Sequence, residues 1–171
     1  MIISIIISLL SVLFSPVYGQ ENISNSIESD KIEYLNDSGE IKAIGSVKIT
    51  RGNFELNADE ILFNQKNNII EGNGNIIIKE RGGPTIMASQ FKLSSDLNDG
   101  IIKLPSLLTK DGTNISSAYA IRSGGKSIVL KKGIFSPCKK CKNSNKKASW
   151  QVKANRIIYD EVSGNIIYEG A

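Results

Sequence analysis

A short pattern returns along this chain at a nearly constant interval, and that repeat restricts what the chain can fold into. Ser29-Asp-Lys-Ile-Glu-Tyr34, Ala58-Asp-Glu-Ile-Leu-Phe63, Ala88-Ser-Gln-Phe-Lys-Leu93 and Ala154-Asn-Arg-Ile-Ile-Tyr159 share the order small, polar, any, apolar, any, apolar or aromatic. The first three begin at residues 29, 58 and 88, a spacing of 29 and then 30. Behind the first two comes a second shared piece. Shifted by 29, Ile41, Gly45, Val47 and Ile49 fall on Ile70, Gly74, Ile76 and Ile78, and Gly164-Asn-Ile-Ile-Tyr168 carries a fragment of it behind the fourth copy. A period of this size marks supersecondary units that are too small to bury their own apolar faces and must stack.

The units are strands. Ile41, Ala43, Val47 and Ile49 point one way, while Lys42, Ser46, Lys48 and Thr50 point the other, a period of two rather than 3.6. Turn-forming stretches fall between the apolar runs at 36–39, 64–68, 81–84, 95–100 and 123–126. Behind the leader, no segment combines a helical stripe with a capping box. The expectation is an all-β stack of antiparallel strand pairs forming two facing sheets. Ile32, Tyr34, Ile61, Phe63, Phe91, Leu93, Ile157 and Tyr159 take equivalent inward positions in it. At about 1.5–3 kcal/mol per buried large side chain, such a row holds a small domain together.

With 171 residues, 40% of them hydrophobic and 6% aromatic, the chain fits one domain. Residues 1–14 are apolar, and Ser15-Pro-Val-Tyr-Gly19 follows with small residues suited to signal peptidase. The segmentation expected is a signal peptide at 1–19, a flexible N-terminus at 20–28 and one domain at 29–171, exported to the periplasm. An uncleaved leader would instead tether the domain to the inner membrane. Charge is uneven: residues 20–100 carry 13 acidic and 8 basic side chains, residues 101–171 carry 4 and 13. The basic half includes Lys131, Lys132, Lys139, Lys140 and Lys142. Such a field favours phosphates, anionic headgroups or an acidic partner, or is simply a solvated loop.

The chain has no His and two Cys, and its carboxylates are scattered singly. That leaves no nucleophile–base pair and no metal cluster, so neither catalysis nor a cofactor is expected. Cys138 and Cys141 have the spacing of half a zinc knuckle or of a thioredoxin motif, but a second ligand pair and a βαβ context are both missing. In an oxidising compartment they are disulfide candidates, with each other or with cysteines of another segment or chain.

The repeated Ala/Ser-Asp-x-Ile-x-Tyr/Phe units, each followed by Gly-x-Val/Ile-x-Ile, resemble the OstA-like β-jellyroll of periplasmic proteins that move lipopolysaccharide to the outer membrane. Ser136-Pro-Cys-x-x-Cys141, Trp150-Gln-Val-Lys-Ala154, Ile157-Ile-Tyr-Asp160 and Ile167-Tyr-Glu-Gly-Ala171 resemble more specifically the end of the N-terminal domain of the outer-membrane LPS-assembly family LptD.

The resemblance implies a lipid conduit, an open jellyroll whose apolar interior holds the acyl chains of lipid A. Ile32, Tyr34, Ile41, Val47, Ile49, Ile61, Phe63, Ile76, Ile78, Phe91 and Leu93 are the groove candidates. It implies lipopolysaccharide as ligand and a neighbouring periplasmic jellyroll joined by edge-strand addition. An outer-membrane barrel and its lipoprotein plug are further expected partners, and nucleic acid is not. It also implies that Cys138 and Cys141 tie the jellyroll to a following barrel, and that Trp150 plugs the end of the stack. The sequence lacks the train of amphipathic strands a barrel needs. On this reading it is therefore a fragment, or a jellyroll that works alone. The rival expectation is a structural β-solenoid whose inner row is fully packed and holds nothing.

Overall fold

The computed structural model of the chain describes residues 25–137 and 150–171. Among them are thirteen strands and no helix. They are β1 (Asn25–Glu28), β2 (Lys31–Leu35), β3 (Glu40–Arg51), β4 (Phe54–Asn64), β5 (Ile69–Glu80), β6 (Thr85–Ser94), β7 (Gly100–Lys103), β8 (Ser106–Leu108), β9 (Asn114–Ser116), β10 (Tyr119–Ser123), β11 (Ser127–Ser136), β12 (Val152–Asp160) and β13 (Ile166–Glu169). All pairings are antiparallel within one continuous sheet, in the order β1-β3-β4-β5-β6-β7-β10-β11-β12-β13, with β2, β8 and β9 branching from it. Every turn expected from the sequence connects two of these strands.

The branching is produced by a line of irregularities across the long strands. In β3 the register shifts between Ile44 and Val47, and in β5 between Asn73 and Ile76. At those points Gly45-Ser46 and Gly74-Asn75 adopt consecutive left-handed conformations, with φ of 78° and 46°, then 72° and 44°. Only a residue without a Cβ takes the first position of such a bulge cheaply. Space decides it as well, because a methyl on Gly45 would collide with the Asp30 carboxylate and one on Gly74 with Asp59. Asp59 in turn accepts Asn75 Nδ2 at 2.9 and 3.2 Å. The repeat therefore encodes a paired device, an Asp at the entry to β2 or within β4 seated over a Gly bulge on the following strand.

The bulges bend the sheet into two half-sheets that fold over each other. One contains β2, residues 40–44, 60–64, 69–73 and 90–94, β7, β10, residues 127–131 and 156–160, and β13. The other contains β1, residues 47–51, 54–57, 76–80 and 85–88, β8, β9, and residues 134–136 and 152–154. One apolar core fills the space between them, with Leu56, Ile61, Ile78, Leu93, Ile102, Leu107, Ile115, Leu130 and Ile157 all fully buried. At about 25 cal/mol per Å² of apolar surface, this shared core is the main source of stability.

The sheet begins earlier than the repeat indicates. Residues 25–28 fall in the stretch expected to be flexible, yet they form β1 along 48–51, because Ile27 lies opposite Ile49 on the apolar side. The leader lies outside the described residues.

Candidate functional site: the interior between the half-sheets

Cross-strand register lines the inward side chains into rows that run the length of the sheet. In the first half-sheet Ile32, Ala43, Ile61, Gly72, Phe91, Ile102, Ala120, Leu130, Ile157 and Tyr168 stand opposite one another in turn. In the second the row is Ile27, Ile49, Leu56, Ile78, Ile86, Leu107, Ile115, Phe135 and Val152. Directly opposed side chains are close enough to pack along the whole row. Gly72 interrupts the first row so that the Phe91 ring can lie across it, since a Cβ there would overlap that ring.

The rows are open at the β1/β2 end and closed further on. Ile32 is 52% and Tyr34 57% exposed, although both stand on the inward face, because no strand of the described residues lies beyond β2. Ile41, Ile49 and Phe63 are half-buried. Val47, Ile61, Ile76, Ile78, Phe91 and Leu93 are buried. Inside the fold the groove candidates thus share one interior, exposed at its first strands and packed in the middle. At the far end Phe135 of one half-sheet meets Tyr168 of the other edge-to-face at 5.4 Å, and Trp150 tilts against Phe135 at 5.8 Å. Aromatic pairs at these separations add to plain burial.

The free margin of the fold, opposite the bulge line, is clasped by charge. Arg122 stands in phase with the inward Ala120, yet it is only 1% exposed. Its Nη2 donates to Glu80 Oε2 at 2.8 Å and to Glu161 Oε2 at 3.0 Å. Its Nε lies 3.0 Å from Glu161 Oε1, an ion-pair contact off the angle of a hydrogen bond. The guanidinium also sits 5.6 Å from the Phe54 ring centroid. Glu80 and Phe54 belong to one half-sheet and Arg122 to the other. Arg51 adds a second tie across the same margin, donating to the Ser95 carbonyl at 2.7 Å. Burial pushes the Glu161 carboxyl above its ordinary range; Arg122 opposes that shift and Glu80 adds to it.

Sequence reasoning missed this cluster, because no motif announces it. The available signal was parity, since Arg122 follows Ala120 by two in a strand whose even positions face inward. Of the expected basic residues, Lys131 and Lys132 lie in β11, Lys131 half-buried on the outer face and Lys132 exposed at a left-handed residue with φ of 53°. Lys139, Lys140, Lys142, Cys138 and Cys141 lie outside the described residues.

Comparison with known proteins fits this geometry. Residues 26–165 match the family described as LptA/(LptD N-terminal domain) LPS transport protein. The chain belongs to that family. It is 30% identical to the LPS-assembly protein LptD of Nitrosomonas europaea over 113 residues, 66% of this chain. It is 24% identical to that of Pseudomonas putida strain W619 over 151 residues, 88% of this chain. In both cases the match spans 15% of the relative's length. Among solved structures, the fold resembles LptH of Pseudomonas aeruginosa, the LptA-homologous periplasmic component of a lipopolysaccharide transport device. The TM-score is 0.55 at 9% identity, covering 77% of this chain and 94% of LptH. The jellyroll is thus the family fold, and the family is one of transport proteins.

Proposed function

We propose that the chain is a lipopolysaccharide-binding module of the periplasmic transport and outer-membrane assembly machinery, holding lipid A acyl chains between its half-sheets. The observation that carries this reading is the pair of inward rows, which lead from exposed Ile27, Ile32 and Tyr34 into the interior. Loading beyond that open end requires the half-sheets to part at the Arg122–Glu80 margin, since Phe91 and its neighbours are packed. Neighbouring jellyrolls join end to end: β1 and β2 expose one edge of the sheet and β13 the other, and each offers unpaired backbone groups to an added strand. Cys138 and Cys141 serve as covalent ties to a neighbouring module.

The burial of the central rows favours a second reading, a structural module whose interior is filled by its own side chains. Photocrosslinking to lipopolysaccharide separates the two. A benzophenone residue in place of inward Phe63 or Phe91 gives lipid adducts on the conduit reading, and one in place of outward Lys48 does not. Adducts at neither inward site in the folded chain would leave the structural module.

A further inference from the structure

The outer face of the first half-sheet changes character halfway along. One outward row runs Glu33, Lys42, Leu62, Glu71, Lys92 and then Ile101, Ile121, Val129, Ile158, Ile167. Up to β6 it is charged apart from Leu62 and held by ion pairs, Lys92 with Glu71 at 2.7 Å and Lys42 with Glu60 of the adjacent row at 3.1 Å. From β7 to β13 the same row is five branched aliphatic side chains in succession. Ile101 is 50%, Ile121 39% and Ile167 53% exposed, while the inward residues between them, Ile102, Ala120, Leu130 and Ile157, are fully buried. At about 4.8 Å between strands the stripe is about 19 Å long. A contiguous apolar stripe on a soluble sheet marks a surface that something covers.

The neighbouring outward row, on the side of the bend, holds Lys103, Tyr119, Lys131, Arg156 and Glu169, the last two ion-paired at 2.7 Å. Lys103 bonds only the Gln90 amide and Lys131 is not ion-paired among the described residues. Tyr119 is exposed between them. An aliphatic strip edged on one side by lysines and a tyrosine suits the boundary between headgroups and acyl chains, where aliphatic groups enter and cations stay with phosphates. The charge on the face itself selects among occupants. Lys103 and Lys131 have no carboxylate partner among the described residues, so a second copy facing this one would bring these lysines together, whereas an anionic lipid layer attracts them.

We propose that the outer face of β7, β10, β11, β12 and β13 docks on an anionic phospholipid surface, with the isoleucine stripe at the headgroup boundary and Lys103 and Lys131 on the phosphates. This contact lies on the opposite side of the sheet from the interior rows and does not depend on what those rows hold.

The test is photocrosslinking of the full chain to vesicles, with benzoylphenylalanine replacing Ile121, Ile167 or, as the control on the same row, Lys42. Vesicles of phosphatidylcholine alone are compared with an equimolar mixture containing phosphatidylglycerol. Phospholipid adducts at 121 and 167, absent at 42 and dependent on phosphatidylglycerol, are expected. Their yield should fall about tenfold in 1 M salt, where charges are screened beyond about 3 Å. Absence of lipid adducts at 121 and 167, equal labelling at 42, or labelling indifferent to phosphatidylglycerol overturns the proposal. Chain-to-chain adducts at 121 without lipid also overturn it, and assign the stripe to a second copy.

Discussion

Arg122 Nη2 lies 2.8 Å from Glu80 Oε2 across the margin where the half-sheets meet, and it is the same nitrogen that holds Glu161. Arg122 and Glu161 are both almost wholly buried, so removing the cation strands a carboxylate in the apolar interior. Arg122→Leu should destabilise the fold by about 3–5 kcal/mol near neutral pH, while Arg122→Leu/Glu161→Leu should recover most of that loss. The single variant should also regain stability on acidification. A carboxyl whose folded-state pKa is raised contributes stability below its ordinary value and loses it as pH rises through the folded value, and without Arg122 the shift is larger. Urea unfolding of both variants across acid to neutral pH measures this; a double variant as unstable as the single one would refute the account.

Gly72 and Phe91 face each other across β5 and β6, and the ring occupies the space a Cβ would need. Backbone strain does not enter, since Gly72 is not among the residues with positive φ. Gly72→Ala should therefore cost about 1–3 kcal/mol through overpacking alone. In the Phe91→Leu background the same change should be nearly free. The coupling is read from a double-mutant cycle of thermal or urea unfolding, and additivity of the two changes would contradict the packing.

Asp111 closes the turn between β8 and β9. It accepts the Thr109 hydroxyl and, at 2.9 Å, that of Thr113, and both threonines are buried. The Thr109 hydroxyl first, then that of Thr113, hold its carboxyl below the ordinary range. A lowered pKa contributes stability that is present above the ordinary carboxylate value and is lost as pH falls through the folded value. Asp111→Ala should lower stability by about 1 kcal/mol near neutral pH, with the gap to the parent chain closing on acidification. A gap that widened in acid would reverse the assignment.

Much of this fold could be read from the repeat. The alternation at Ile41 to Ile49 gave the inward rows, and the Asn-, Gly- and Asp-rich stretches gave the turns, because strand period and turn chemistry are local properties. The match of Gly45 to Gly74 was visible, but its meaning as a bulge that splits the sheet was not, since it depends on Asp30 and Asp59 from the preceding segments. The clasp of Arg122, Glu80 and Glu161 joins residues about forty apart with no spacing of their own, and the outer stripe emerges only when register places Ile101, Ile121 and Ile167 in line. The exposure of Ile32 and Tyr34 was likewise hidden, because the pattern assigns a side chain to a face but does not say where the sheet ends.

The clasp also supplies a way to tell a conduit from a packed module. Glu80 is the less buried of the two carboxylates, and Arg122 keeps Glu161 when Glu80 is neutralised. Glu80→Gln should therefore cost about 1 kcal/mol or less of global stability. It weakens the clasp across the margin, leaving Arg122 over the Phe54 ring and Arg51 on the Ser95 carbonyl as the remaining ties. If acyl chains enter by parting the half-sheets, Glu80→Gln should raise lipopolysaccharide crosslinking at position 91 severalfold, by about the factor by which a weakened closed state populates the open one. Crosslinking at 34 should stay unchanged, because Tyr34 is already exposed. Equal yields at 91 with and without the substitution would mean that lipid does not enter at this margin.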